Sequence, residues 1–252
     1  MRKATFFYLL RRGLLTGAGG FIRDGLVMAS KFITQGLTHP AQGSASFDGS
    51  SDYIQLNTPF SYTNHTIAAW VYVTNTSAEQ FIFGARDASN DGIAIWTPND
   101  ETIRYKINDV FLTSTTSVAG QWAYITATYD GTTQRLYIDG SQETSQATSK
   151  TISTTTDATI GKNNLGTDYF NGNLANVAIW NRALSSDEIN SVMWKPVQAL
   201  TATESNGLQA WYSLDDITSP AASLANMEQL ATDKDATIEN KAAITAAINA
   251  LS

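Results

Sequence analysis

Phe170-Asn-Gly-Asn-Leu-Ala-Asn-Val-Ala-Ile-Trp180-Asn-Arg-Ala-Leu-Ser-Ser-Asp-Glu-Ile189 joins an apolar alternating run to the start of a helix, and its reading decides the fold. Alternation from Leu174 to Trp180 predicts a buried strand, with Ala175, Val177 and Ile179 on one face and Leu174, Asn176, Ala178 and Trp180 on the other. A short helix follows. Ser185 is placed to cap its N-terminus, Glu188 to reach back as the capping-box partner, and Leu184 and Ile189 to close over the first turn as a hydrophobic staple. A buried strand delivered straight into a capped helix points to a sandwich domain.

Working outward, short strands at close spacing are predicted at 44–47, 53–56, 66–73, 80–84, 92–96, 102–107, 110–114, 122–129, 134–138, 158–160 and 173–180. Asp130-Gly131, Asp139-Gly140 and Asn171-Gly172 supply turns between or beside them, because these pairs adopt positive φ at little cost. The expected fold class is all-β, an antiparallel two-sheet jelly-roll sandwich over residues 44–216. A helical N-terminal arm (1–43) precedes it, and a C-terminal extension with short helices (217–252) follows, including an alanine-rich helix at 241–251.

Composition permits a large core, being 42% hydrophobic, while only 15% of residues are charged and Ser, Thr and Asn fill the surface. The absence of cysteine excludes disulfides and thiolate metal sites. Charge is distributed unevenly. Residues 1–45 hold Arg2, Lys3, Arg11, Arg12, Arg23 and Lys31 against Asp24, a net +5, so the overall −7 leaves −12 for the remainder. A basic arm on an acidic body implies that the arm meets an acidic surface of a partner, a nucleic acid or a membrane, and argues against nucleic acid binding at the sandwich.

The arm lacks the uninterrupted apolar core of a secretory signal, since Arg11 and Arg12 cut Phe6-Phe-Tyr-Leu-Leu10 short, and no stretch is long enough to span a membrane. Arg11-Arg-Gly-Leu-Leu15 is similar to a twin-arginine export motif, but Arg23 and Asp24 end the uncharged stretch early. Glycines punctuate apolar pairs through the arm, so the reading is short amphipathic helices with little core of their own. Such a segment must be buried by its own sandwich or by another chain. Phe6, Phe7, Arg11, Arg12, Phe21, Arg23 and Phe32 are the candidate anchors of an oligomeric assembly.

Phe47-Asp-Gly-Ser-Ser-Asp-Tyr-Ile54, Thr66-Ile-Ala-Ala-Trp-Val71, Trp122 through Tyr129-Asp-Gly131, Leu136-Tyr-Ile-Asp-Gly140, Ile160-Gly161 and the opening stretch occur in the order found in laminin-G-like, concanavalin A-like jelly-roll domains, which this chain resembles. Gly207-Leu-Gln-Ala-Trp-Tyr-Ser-Leu-Asp-Asp216 also looks like a strand of that family. Here it follows the capped helix, and a further strand piece is read at Asp235-Ala-Thr-Ile-Glu-Asn240, an order similar to laminin-G-like proteins of tailed bacteriophages. The resemblance implies the fold and leaves function open.

Related glucanases place paired glutamates and an aspartate on one strand, but the seven glutamates here (79, 101, 143, 188, 204, 228 and 239) are scattered and form no Glu-x-Asp-x-Glu run. His39 and His65 have no second histidine or carboxylate at ligand spacing. No enzymatic activity is expected. The family also implies calcium at a sandwich rim, for which Asp48 and Asp52 are the matching residues, although Ala175-Asn176 stands where relatives carry an Asp-Glu pair. The competing reading is that Asp48 and Asp52 only build the turn. For glycan contact the candidates are Trp96, Arg104 and Tyr105, with core packing the alternative for Trp96. Two functions follow as expectations. The first is a virion structural protein, a phage capsid decoration or tail surface component docked on capsid or tail subunits through its arm. The second is a secreted or cell-surface carbohydrate-binding module, calcium-assisted or not, that engages host-surface glycans.

Overall fold

The structure, a computed structural model, describes residues 43–56, 59–74, 78–152 and 157–214. The expected arm with its anchors Phe6, Phe7, Arg11, Arg12, Phe21, Arg23 and Phe32, the strand piece at 235–240 and the helix at 241–251 lie outside the described residues.

The strands, in chain order, are β1 (Ala45–Asp48), β2 (Ile54–Gln55), β3 (His65–Val73), β4 (Gln80–Arg86), β5 (Gly92–Thr97), β6 (Arg104–Ile107), β7 (Val110–Thr113), β8 (Trp122–Tyr129), β9 (Thr133–Ile138), β10 (Ser141–Ala147), β11 (Thr159–Ile160), β12 (Asn171–Trp180) and β13 (Leu208–Tyr212). Between β12 and β13 lie α1 (Ser186–Val192), a 3₁₀ turn (Val197–Ala199) and α2 (Ala202–Ser205). All pairings between strands are antiparallel. One sheet runs β1-β12-β3-β8-β9-β10, with β13 also paired to β12, and the other runs β2-β11-β4-β5-β6-β7. This is the expected jelly-roll sandwich.

β12 organises the first sheet. One edge pairs with β3 along its length, while the other pairs first with β1 and then with β13. It does not follow the simple alternation expected of it. Between Ala175 and Ala178 the register with β3 shifts by one residue, and Asn176 takes a positive φ of 48° with its N–H donating to the Ser213 carbonyl at 3.1 Å. This bulge flips the face pattern. Leu174 therefore joins Val177 and Ile179 in the inter-sheet core, and Ala175 joins Ala178 and Trp180 on the outer face. Asn171-Gly172, expected as a turn, lies inside the strand. A Cβ on Gly172 would stand 2.0 Å from the Tyr72 carbonyl, so only glycine lets the two backbones approach there.

The outer face of this sheet is closed by the capped helix. Ser185 and Glu188 form the full capping box, Glu188 also takes both guanidinium nitrogens of Arg182 at 2.9 and 2.7 Å, and Leu184 and Ile189 are buried together as the staple requires. Two indoles tie the cover down, Trp70 Nε1 donating to the Met193 carbonyl at 3.0 Å and Trp180 Nε1 to that of Glu204 at 2.8 Å. Burial pushes the Glu204 carboxyl up, but donation from Lys195, Ser191 and Thr201 outweighs it and holds the group down at about 2.

β10 was not expected, because Ser-Gln-Glu-Thr-Ser-Gln-Ala has no apolar face to detect. Its signal was the turn before it: Asp139 (φ 50°) and Gly140 (φ 77°) form a two-residue hairpin that sets Ser141 opposite Ile138.

Between the sheets, His65 sits fully buried among Phe60, Tyr105 and Tyr129, with Nε2 2.7 Å from Tyr105 Oη. Burial pulls its pKa down from 6.5 to about 3. The unfolded chain therefore binds a proton that the folded one refuses, so this contribution to stability is complete above about pH 6.5 and is lost as pH falls toward 3. Between pH 6.5 and 5, above the range where carboxylates titrate, chemical denaturation should show stability falling by up to about 1.4 kcal/mol per pH unit. His65→Gln should flatten that slope even though it lowers stability throughout. In the same measurement at neutral pH, Asn176→Val should cost about 1–2 kcal/mol and Asn176→Gly much less, because the left-handed conformation excludes a β-branched residue.

Candidate functional site

Three aspects of strand chemistry build the outer face of the six-stranded sheet. β6 reads Arg-Tyr-Lys-Ile, and alternation sends Tyr105 and Ile107 inward to the inter-sheet core while Arg104 and Lys106 face outward. β5 does the same with Ile93 and Ile95 inward and Ala94 and Trp96 outward. β4 needs a bulge: two residues, Ile82 and Phe83, point into the core, which leaves Phe81 on the outer face under Trp96 and Arg86 on that face as well.

Register then fixes the layout. Gly84, Ala94, Lys106 and Phe111 form one row across β4, β5, β6 and β7, and Phe81, Trp96, Arg104 and Thr113 form the next. The rings of Phe81 and Trp96 stack at 5.7 Å with planes 9° apart, and the Arg86 guanidinium lies 5.0 Å above the Phe81 ring. The loop after β11 borders the face. Asn164 lies over Gly84, where a Cβ would meet its backbone nitrogen at 3.0 Å, and it grips Arg86 by paired backbone contacts while Asn163 and Asn90 hold the guanidinium. Phe111 and Leu165 are the large hydrophobics most exposed among the described residues, at 55% and 45%, one on this face and the other on its bordering loop.

The three glycan candidates separate. Tyr105 is fully buried, facing His65 on the opposite side of the sheet, so it is removed from the patch by the same alternation that places Arg104 outward. Arg104 and Trp96 are directly opposed in register. Trp96 is only 9% exposed and forms part of the floor, with its indole N–H buried and without a hydrogen-bond partner, as is Arg104 Nε. The exposed aromatic is Phe111. Reading 104 and 106 as one face would have found Lys106, and it would have excluded Tyr105 as well.

The residues implied for calcium do not fit it. Asp48 Oδ1 accepts from the backbone N–H groups of Ser50, Ser51 and Asp52, and Oδ2 from both serine hydroxyls, while Asp52 Oδ2 accepts from the Asp48 N–H at 3.1 Å. Slight burial works against the charge, yet these donors hold the Asp48 carboxyl well below the usual carboxylate range. Both Asp48 oxygens and one of Asp52 are spent on the turn, too few being left for a cation that takes about six or more oxygen ligands. Ala175 is buried in the apolar cluster on the outer face of its sheet and Asn176 is buried in the bulge. Among the described residues no group of three His, Cys, Asp or Glu could hold a metal ion, and no helix is long and apolar enough to cross a membrane.

Residues 48–190 match a laminin-G-like family model described as the concanavalin A-like lectin/glucanases superfamily. The chain belongs to this superfamily. Curated proteins yield no match. Among solved structures it is similar to a candidate carbohydrate binding protein from Bacteroides ovatus, with a TM-score of 0.55 and 15% identity over 71% of this chain and 53% of that one. It is also similar to the CBM40 of a Ruminococcus gnavus IT-sialidase bound to alpha2,3 sialyllactose, with a TM-score of 0.51 and 14% identity over 60% of this chain and 97% of that one. The chain thus spans about half the length of the Bacteroides protein, and at these identities the likeness establishes the fold.

Millimolar calcium should leave the unfolding temperature unchanged in scanning calorimetry, and chelator should not lower it. Asp48→Ala should cost about 1–2 kcal/mol with or without the ion, since it removes acceptors from the turn.

Proposed function

We propose that this chain is a non-enzymatic carbohydrate-binding module that holds saccharide on the outer face of its six-stranded sheet, in an extracellular or cell-surface setting. The observation that carries the reading is the coincidence on one sheet face of Phe111, more than half exposed, with the outward cations Arg104 and Lys106 and the stacked Phe81–Trp96 floor. An exposed ring can cover the apolar face of a sugar, while guanidinium and ammonium groups donate to its oxygens. The asparagines bordering the face fix Arg86 at its edge.

Superfamily membership and the carbohydrate-binding descriptions of the two neighbours support this reading. They favour it over virion assembly, which draws on the basic arm at residues 1–43 and on the resemblance to phage proteins. Catalysis is not proposed, because no strand carries the paired carboxylates of the related glucanases.

A glycan array followed by titration calorimetry tests the proposal. Phe111→Ala and Arg104→Ala should each weaken binding roughly fivefold to tenfold, the scale of one lost stacking or charge-assisted contact, with unfolding temperatures unchanged. Unaltered affinity for every bound glycan in the double variant would place the site elsewhere.

A further inference from the structure

Among the described residues, Lys106 is the one cation on this face with no ion pair or hydrogen bond of its own, while most of the charges around it are paired or hydrogen-bonded. Arg104 approaches Asp100 at 3.5 Å, and Arg86 is held by Asn90, Asn163 and the Phe81 ring. Of the acids at the margin, Asp100 is bonded to Thr102, Asp109 pairs with Lys150 at 2.6 Å, and Asp168 accepts from Asn163. Asp91 and Glu79 complete that margin, acting on Lys106 and Arg86 through space. Partial burial, then the charge of Arg86, draws the Lys106 pKa below its ordinary value, with Asp91 and Asp109 opposing.

Position gives an anion at Lys106 a context. Lys106 is flanked in register by Ala94, whose side chain ends at Cβ, and by Phe111, so an anionic group at the ammonium has a low floor on one side and an aromatic ring on the other. The surrounding sandwich is acidic overall: residues 46–214 hold 8 Lys and Arg against 16 Asp and Glu, a net −8. A long polyanion laid across it would meet repulsion away from this face, whereas a single acidic group would not.

Resting on the carbohydrate reading above, we infer that the ligand is an acidic saccharide, its carboxylate or sulfate seated at Lys106 with Arg104 beside it and a neighbouring sugar ring against Phe111. The specificity-determining residue is then Lys106, whose contact to an anionic oxygen is stronger than its contact to a neutral hydroxyl.

Titration of the full chain with lactose, 3′-sialyllactose, an oligogalacturonate and a heparin-derived tetrasaccharide tests this, with a dT oligonucleotide as polyanion control. At least one acidic saccharide should bind roughly tenfold or more tightly than lactose, and should weaken as salt is raised from about 50 to 200 mM. Lys106→Gln should remove that preference, weakening the acidic saccharide roughly tenfold more than it weakens lactose, and Lys106→Arg should keep it. Each variant is checked for an unchanged unfolding temperature. Equal binding of acidic and neutral sugars, or a preference that survives Lys106→Gln, overturns the inference while leaving the carbohydrate reading standing. Binding of the oligonucleotide as tight as that of the acidic sugar overturns it in favour of unspecific attraction. Failure of every saccharide overturns both.

Discussion

β12 has to present apolar groups to two opposed layers, the second sheet on one side and the helical cover on the other, and the extra residue at Asn176 is what lets it do so. Before the bulge Leu174 faces the inter-sheet core and Ala175 the cover; after it, Val177 and Ile179 take the core and Ala178 and Trp180 the cover. Without it, one half of the strand would send its side chains to the wrong layer. The same residue donates to Ser213, so the bulge also sets where β13 joins the sheet after the helices. Arrangement of both layers thus follows from one left-handed residue.

A second bulge, at Ile82–Phe83 in β4, performs the corresponding task in the opposite sheet. It adds one ring to the core and brings another out beneath Trp96, which gives the cationic face an aromatic floor. Stability and binding surface are coupled through that strand. Changes to core volume at Phe83 would be felt by the Phe81–Trp96 stack on the far side. The carboxylates matched to the family's rim positions have a different fate, Asp48 Oδ1 and Oδ2 and Asp52 Oδ2 being engaged in the turn around Asp48, where they stabilise structure.

The sandwich, its strand order along the chain and the capped helix were legible because each rests on local chemistry: alternation, Asp-Gly turns, and the Ser185–Glu188 box. Both bulges were not, since an extra residue leaves the sequence looking alternating while the faces have exchanged. β10 escaped because an edge strand without an apolar face is invisible to periodicity, although Asp139-Gly140 announced it. Of the candidate face, Arg104 and Trp96 were found, and Lys106 was one step of the same period away. Phe81, Arg86 and Gly84 reach the face through pairing across strands far apart in the chain, which no local pattern encodes. Tyr105 was misplaced by treating neighbours in sequence as neighbours in space.

β10 closes one edge of the seven-stranded sheet with Ser, Gln, Glu and Thr, and the register slips between Gln142 and Thr144. Glu143 at that slip is drawn sideways to Thr115 and Thr116. A second polypeptide seeking to extend the sheet would find its hydrogen-bonding ladder out of step there and no greasy surface to seat its side chains. Propagation of the sheet from one molecule to the next is blocked along this margin, so self-association by strand addition has no foothold at β10.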